Sequence, residues 1–295
     1  MHEQKLLIIA GTHGNEINPI WAVNQFKNRR VSNKSRRYEI ILGNPLAIEK
    51  GLRYVDIDLN RSFNIQETKK NINSYEINRA KYLVDKYGSQ SVNAYQIAID
   101  LHTTTANMGT SLVIYGRREK DFCLAAILQY KFGLPIYLHE KDQVQNGFLV
   151  EAWPCGLVIE IGPVAQNHYD PEIVQRFMII LEFIEQFINN FDNLIPNLPD
   201  EVTVFVHQYS IDYPRDTNHQ INGLIHPSRV NQDWQEIKYG DPLFLTNLGK
   251  TIIYENQKRS YPVFIGEAAY REKKIAMSFT KKEIYKFKKE WMSKF

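Results

Sequence analysis

The chain is poor in the features that announce several large protein classes. Two cysteines, Cys123 and Cys155, stand in 295 residues. That is too few for a secreted disulfide framework or a zinc-thiolate finger. No stretch approaches the ~20 consecutive apolar residues of a membrane-spanning helix. The first residues, MHEQKLLIIAGTHGNE, carry no basic segment ahead of a long apolar run, so they read poorly as a secretory signal. The net charge is only +3, which gives no general reason to expect a nucleic-acid or membrane partner. Lysines crowd the end of the chain (KKIAMSFTKKEIYKFKKEWMSKF), but Glu283, Glu290 and several aromatics interrupt them. That segment reads as a solvated strand or helix face. These absences point to a cytoplasmic protein in a reducing compartment.

What is present is an ordinary globular composition, 43% hydrophobic and 23% charged, with an alternation of patterns. KLLIIAG (5–11), YEIILGNP (38–45), YQIAIDLH (95–102), LPIYLHE (134–140) and GLVIEIGP (156–163) are short apolar runs that read as buried strands. Between them lie helical patterns. INPIWAVNQFKNRR has Asn18 as a candidate N-cap and Pro19 at the first helical position. SYEINRAKYLVDKYG (74–88), DFCLAAILQYKFG (121–133) and a long segment from Pro171 to Phe191 follow. Strands alternating with helices predict an α/β fold with a mostly parallel or mixed sheet covered on both faces. After the proline- and asparagine-rich DNLIPNLPD (192–200) the runs become short, β-rich and broken by turns. The expected organisation is a catalytic domain over 1–196 and a smaller β-rich domain over 197–295.

In LIIAGTHGNEIN (7–18), His13 and Glu16 sit three apart in a glycine-flanked turn directly after the first strand. Ligands gather at the carboxyl ends of strands in open α/β sheets, and imidazole and carboxylate both bind zinc. H-x-x-E alone also fits a polar turn. His102, at the end of IAIDLH, offers a third ligand at another strand end. Asp100, two residues earlier, faces the same way and suits an outer partner that fixes the imidazole tautomer. Three protein ligands leave a fourth position open for water, the catalytic arrangement. Glu160, inside the apolar GLVIEIGP, is costly to bury without a partner or a task. It is the candidate general base, with a buried ion pair as the alternative. In RYVDIDLNRSF (53–63), Arg53, Asn60 and Arg61 offer donors suited to a carboxylate, or form a solvated surface cluster.

Taken together and in order, GTHGNE, DLNRSF, DLHTTTANMG and VIEIGP resemble the aspartoacylase / succinylglutamate desuccinylase family of zinc amidohydrolases. The likeness continues through DYPRD (212–216), IHP (225–227), QDW (232–234), GDPLFLTNLGKTI (240–252) and YPVFIGEAAYREKK (261–274), and so covers nearly the whole chain. The resemblance implies a zinc-carboxypeptidase-like mixed sheet flanked by helices, followed by a smaller β-rich domain that contributes to the active-site wall. It implies one zinc ion on His13, Glu16 and His102, and Glu160 as general base. It implies Arg53 at the oxyanion, Asn60 and Arg61 on the substrate carboxylate, and Tyr270 reaching the site from the C-terminal region. Self-association into a homo-oligomer is a further implication. The expected reaction is hydrolysis of N-acetyl-L-aspartate to acetate and L-aspartate. One departure bears on selectivity: members strict for N-acetylaspartate carry a further arginine shortly before the catalytic glutamate. From Tyr137 to Glu160 this chain has none, and Lys141 is the only cation. A sister branch that also lacks that arginine deacylates neutral or aromatic N-acyl amino acids. The remaining alternatives are a carboxypeptidase of the same chemistry and a metal-binding protein without catalysis.

Overall fold

The computed structural model of the protein describes residues 5–29, 37–64, 73–140, 145–189 and 199–294. The expected domain boundary at 196/197 and Lys141 lie outside them.

The N-terminal part builds β1 (Leu6–Ala10), α1 (Ile17–Asn28), β2 (Tyr38–Leu42), α2 (Pro45–Lys50), α3 (Tyr75–Tyr87), β3 (Ile97–Thr103), β4 (Thr110–Tyr115), α4 (Glu119–Phe132), β5 (Ile136–His139), β6 (Cys155–Ile161) and α5 (Pro171–Asn189). The C-terminal part adds β7 (Glu201–Ile211), β8 (Gly223–Ile225), β9 (Pro242–Thr246), β10 (Thr251–Ile253), β11 (Tyr261–Val263) and β12 (Met277–Lys286). Nine strands form one mixed sheet in the order β11-β12-β7-β5-β4-β6-β3-β1-β2, and β10-β9-β8 form a second. The apolar runs are buried on both sides because alternate residues serve opposite faces. Leu6, Ile8 and Ala10 join Val23 and Phe26 of α1, the apolar side of α4 and Phe177 and Leu181 of α5. Leu7 and Ile9 join Leu83 of α3, Trp153 and Phe264 on the other face.

The mixed α/β fold is as expected, and three local differences have physical causes. First, α1 begins at Ile17, with Glu16 rather than Asn18 at its cap position and no side-chain cap bond. Asn18 is occupied elsewhere: its amide donates to the His168 carbonyl at 2.9 Å and its oxygen accepts from Asp170 N at 2.8 Å. Second, TSLVIY forms β4, antiparallel to β6 and parallel to β5, a strand the pattern reading passed over. Third, β7 pairs parallel with β5, so the main sheet continues past residue 200 into the C-terminal part. The lysine-rich end contains β12, which pairs with β7 along its length. Met277 to Thr280 are buried, while Lys281 and Lys282 face solvent.

Candidate active site

The parallel strands β1, β3 and β6 end together, and their register places His102 opposite Glu160. After β1 the chain turns sharply at Gly11, whose φ of +69° suits glycine. At Gly14 an added Cβ would lie 2.1 Å from the Ala47 carbonyl carbon of α2, so only glycine lets the turn approach that helix. The turn presents His13 and Glu16, 3% and 4% exposed, to His102, 1% exposed.

One atom from each of His13, Glu16 and His102 lies within 4.8 Å of the others, a group that could hold a metal ion. Glu16 Oε1 lies 2.6 Å from His13 Nδ1 and its Oε2 lies 3.0 Å from His102 Nδ1. The two Nδ1 atoms are 3.1 Å apart. Tetrahedral ligand atoms about 2.0–2.1 Å from zinc stand roughly 3.3 Å apart, which the 3.0 and 3.1 Å separations approach while the 2.6 Å His13–Glu16 contact is tighter. The electrostatics agree. Burial alone would depress His102, but Asp100 and Glu16 hold it well above its ordinary value. Burial would raise Glu16, yet His13 and His102 bring its carboxyl far below the usual range. The centre therefore favours positive charge. The far nitrogens are also fixed, His102 Nε2 at 2.7 Å from Asp100 Oδ2 and His13 Nε2 at 3.1 Å from Asp58 Oδ1. Such carboxylate–imidazole pairs set the tautomer and orientation of metal-binding histidines. Thr12 Oγ1 in turn donates to Asp100 at 2.7 Å.

Glu160 lies in the same pocket, and its Oε2 is buried with no hydrogen-bond partner among the described residues. Burial, with Glu16 and Glu267 nearby, pushes its carboxyl up to about 8 against the pull of His102 and Arg53. A carboxylate poised near neutrality suits proton transfer. The expected alternative for Glu160, a buried ion pair with an arginine, is not formed among the described residues.

The loop between α2 and α3 brings the remaining groups. Arg53 Nη1 donates to Glu16 at 3.4 Å and Nη2 to Asp58 at 3.3 Å. Burial opposes its charge, but Asp58 and Glu16 raise it further. Asn60 accepts from Leu149 N at 2.8 Å through its side-chain oxygen, so the amide nitrogen is its remaining donor. Arg61 donates to the Asn60 carbonyl at 2.7 Å and to Gln145 Oε1 at 2.8 Å, and its guanidinium lies 4.0 Å from the Phe148 ring centre. From the C-terminal part come Phe264, Glu267, Ala269 and Tyr270. Burial raises the Tyr270 phenol, so it remains a neutral donor. Lys273 Nζ stands 3.5 Å from Asp58 Oδ2, and burial, with Arg61 close by, lowers it to about 8. The inner cavity has about 30 Å3 free, space for one water, and shares Arg53 and Ala269 with an outer cavity of about 740 Å3.

All eight site residues expected from the sequence thus line or flank one pocket. Sequence reasoning did not single out Asp58, Glu267, Tyr115, Phe148 or Lys273. Asp58 lies within DIDLNRSF, and Glu267 and Lys273 within GEAAYREKK, so the stretches were seen but not these side chains. Glu267 accepts from Thr104 Oγ1, from Thr105 N at 2.8 Å and from Ala106 N at 3.2 Å. It ties the C-terminal part to the loop that follows His102.

The sequence profile of the succinylglutamate desuccinylase/aspartoacylase catalytic domain matches residues 2–188. That of the AstE/AspA barrel-sandwich hybrid domain matches residues 200–282. A "probable aspartoacylase" of Prochlorococcus marinus strain MIT 9301 is 60% identical over all of this chain and 99% of its own length. Another, from strain NATL2A, is 46% identical over 99% of this chain and 96% of its own. Among solved structures, murine aminoacylase 3 superposes with a TM-score of 0.84 at 26% identity, covering 97% of both chains. The succinylglutamate desuccinylase of Chromobacterium violaceum shares the fold, with a TM-score of 0.66 at 19% identity over 96% of this chain and 85% of its own.

Proposed function

The chain belongs to the succinylglutamate desuccinylase/aspartoacylase family, and on that footing we propose that it is a zinc-dependent amidohydrolase of N-acyl-L-amino acids. The leading substrate is N-acetyl-L-aspartate, cleaved to acetate and L-aspartate. The observation that carries this reading is the His13–Glu16–His102 group sharing one buried pocket with the unpartnered carboxyl oxygen of Glu160.

A zinc ion held by His13, Glu16 and His102 would supply Lewis-acid polarisation and a more acidic water. Glu160 takes a proton from the attacking water and returns it to the departing amide nitrogen. Arg53, fixed by Glu16 and Asp58, faces the developing oxyanion. A donor in that role typically contributes about 3–4 kcal/mol. Arg61 and the amide nitrogen of Asn60 hold the substrate carboxylate, and the neutral phenol of Tyr270 adds a donor from the C-terminal side. Asp100 and Asp58 keep the two imidazoles oriented.

For the amino acid, two observations pull apart. Arg53, Arg61 and Lys273 stand near Asp58, three cationic side chains that suit a substrate with more than one carboxylate. The relatives named "probable aspartoacylase" favour the same choice. Against it, among the described residues of the stretch 137–160 Gln145 and Phe148 contact Arg61, and Tyr115, Phe148, Phe264 and Tyr270 make an aromatic wall. That wall favours the second reading, a deacylase for aromatic or neutral N-acyl amino acids. The test compares N-acetyl-L-aspartate with N-acetyl-L-tyrosine on zinc-loaded protein, beside Glu160→Gln. Aspartate preference, with kcat lowered roughly 10²–10⁴-fold in the variant, supports the first reading. Tyrosine preference moves the enzyme to the second. Turnover of neither, or full activity in the variant, rejects the mechanism.

A further inference from the structure

The loop that carries Arg53, Asp58, Asn60 and Arg61 is held by a residue outside the pocket. Glu76, on the first turn of α3, is 0% exposed. No arginine, lysine or histidine pairs with it among the described residues. Its charge is satisfied by four donors instead. Oε1 accepts from Val55 N at 2.6 Å and from Asn44 Nδ2 at 3.1 Å. Oε2 accepts from Asp56 N at 3.1 Å and from Ile57 N at 3.3 Å. Three consecutive backbone amides therefore converge on one buried carboxylate. A reciprocal bond closes the latch, since Asp56 Oδ2 accepts from Tyr75 N, the first residue of α3, at 2.8 Å.

The latched residues 55–57 stand between Arg53 on one side and Asp58, Asn60 and Arg61 on the other. They lie outside any helix or strand, so no ladder of backbone bonds fixes them. We propose that Glu76 is a positioning residue that sets the spacing of the oxyanion arginine from the carboxylate-binding pair, and so determines recognition of the substrate carboxylate. This inference rests on the reading of Asn60 and Arg61 given above.

The chemistry makes Glu76 hard to replace. A glutamine keeps the shape but exchanges one acceptor oxygen for an NH2 group. Two donors of the set then face a donor and lose their partner. Asn44 cannot turn to relieve them, because its side-chain oxygen caps α2 at Ala47 N, 3.3 Å away. Buried amide donors without partners are costly, and the loop relaxes toward water instead.

Two measurements test the proposal. The first is native-state amide exchange on the zinc-loaded protein. The amides of Val55, Asp56 and Ile57 should exchange slowly in the wild type and at least tenfold faster in Glu76→Gln, with Ile8 and Ile99 unchanged. Unchanged exchange at 55–57 overturns the latch whatever the substrate. The second is a ratio of kcat/KM. The faster of N-acetyl-L-aspartate and N-acetyl-L-tyrosine is compared with the same compound bearing a primary amide in place of its α-carboxylate. In Glu76→Gln the preference for the acid should fall at least tenfold; a general loss of folded enzyme would lower both rates and leave the ratio intact. Arg61→Ala serves as the reference. If it leaves the ratio unchanged, the reading of Arg61 fails; if it collapses the ratio and Glu76→Gln does not, the positioning role fails. Should Glu76→Gln not fold, Asp56→Ala removes the exposed half of the latch and should shift both readouts in the same direction by a smaller factor.

Discussion

At the scale of single residues, the pocket works by placing charges where only one ionisation state is comfortable. Glu160 shows the consequence most directly. Its carboxyl is raised to about 8 chiefly by burial, so in metal-free protein the fold favours the protonated form. The sign follows from linkage: stabilisation from this group is complete below its unfolded value near 4.5 and is lost as pH rises through about 8. In chelated protein, Glu160→Gln should therefore melt higher than the wild type at pH 9 and close to it at pH 4. Thermal unfolding across that range checks this, and equal melting temperatures at pH 9 would contradict it. A second residue-level expectation concerns Asp100, 0% exposed and 2.7 Å from His102. Asp100→Asn should weaken zinc binding roughly 10–100-fold, read by competition with a chromophoric chelator. His13 and Glu16 were legible because H-x-x-E after an apolar run is a local pattern. Asp58 was not, because an aspartate in a loop has many uses, and only its 3.1 Å approach to His13 selects one.

Among the elements, the turn after β1 is the most tightly constrained. Gly14 sits against the backbone of Ala47 and Ile48, where an added Cβ would come within 2.1–2.3 Å. Backbone cannot swing aside as a long side chain can. Gly14→Ala should cost on the order of 2–3 kcal/mol of stability and displace His13 and Glu16. Urea unfolding with zinc titration would register both effects. The start of α1 illustrates the limit of pattern reading. Asn18 followed by Pro19 looks like a cap, but a capping residue is chosen by what else competes for its side chain. Here His168 and Asp170, 150 residues away, win that competition. Strand β4 has a Ser-Leu-Val-Ile-Tyr run that suits a buried strand.

For the whole molecule, the decisive contact joins the C-terminal part to the loop that follows His102. Glu267 collects donors from Thr104, Thr105 and Ala106 and also caps Ala269 at 2.9 Å, beside Tyr270. Tyr54 and Glu272 add a bond of 2.9 Å between the loop bearing Arg53 and the same C-terminal turn. Glu267→Ala leaves several donors at this junction without partners, at about 1–3 kcal/mol for each buried one. We expect a lower melting temperature and a fall in kcat/KM of at least tenfold. Zinc content should be nearly normal, because Glu267 contacts none of the three ligands. A variant with wild-type turnover would show that the C-terminal wall is dispensable.

The sequence by itself carried the family resemblance and the residue types of the candidate site. Apolar runs that stop at GTHGNE and DLH mark two strand ends, while the assignment of the set rests on GTHGNE, DLNRSF, DLHTTTANMG and VIEIGP occurring together and in order. Alternating patterns likewise specified a mixed α/β sheet. Only the tertiary structure decided which carboxylates stand behind the histidines, how Glu76 and Glu267 hold the loops, and that β7 extends the main sheet beyond residue 200. The physical reason is range. Ligand identity and strand period are written in neighbouring residues, whereas a bond across 163 positions, such as that from Thr104 to Glu267, exists only once the sheet has brought its ends together.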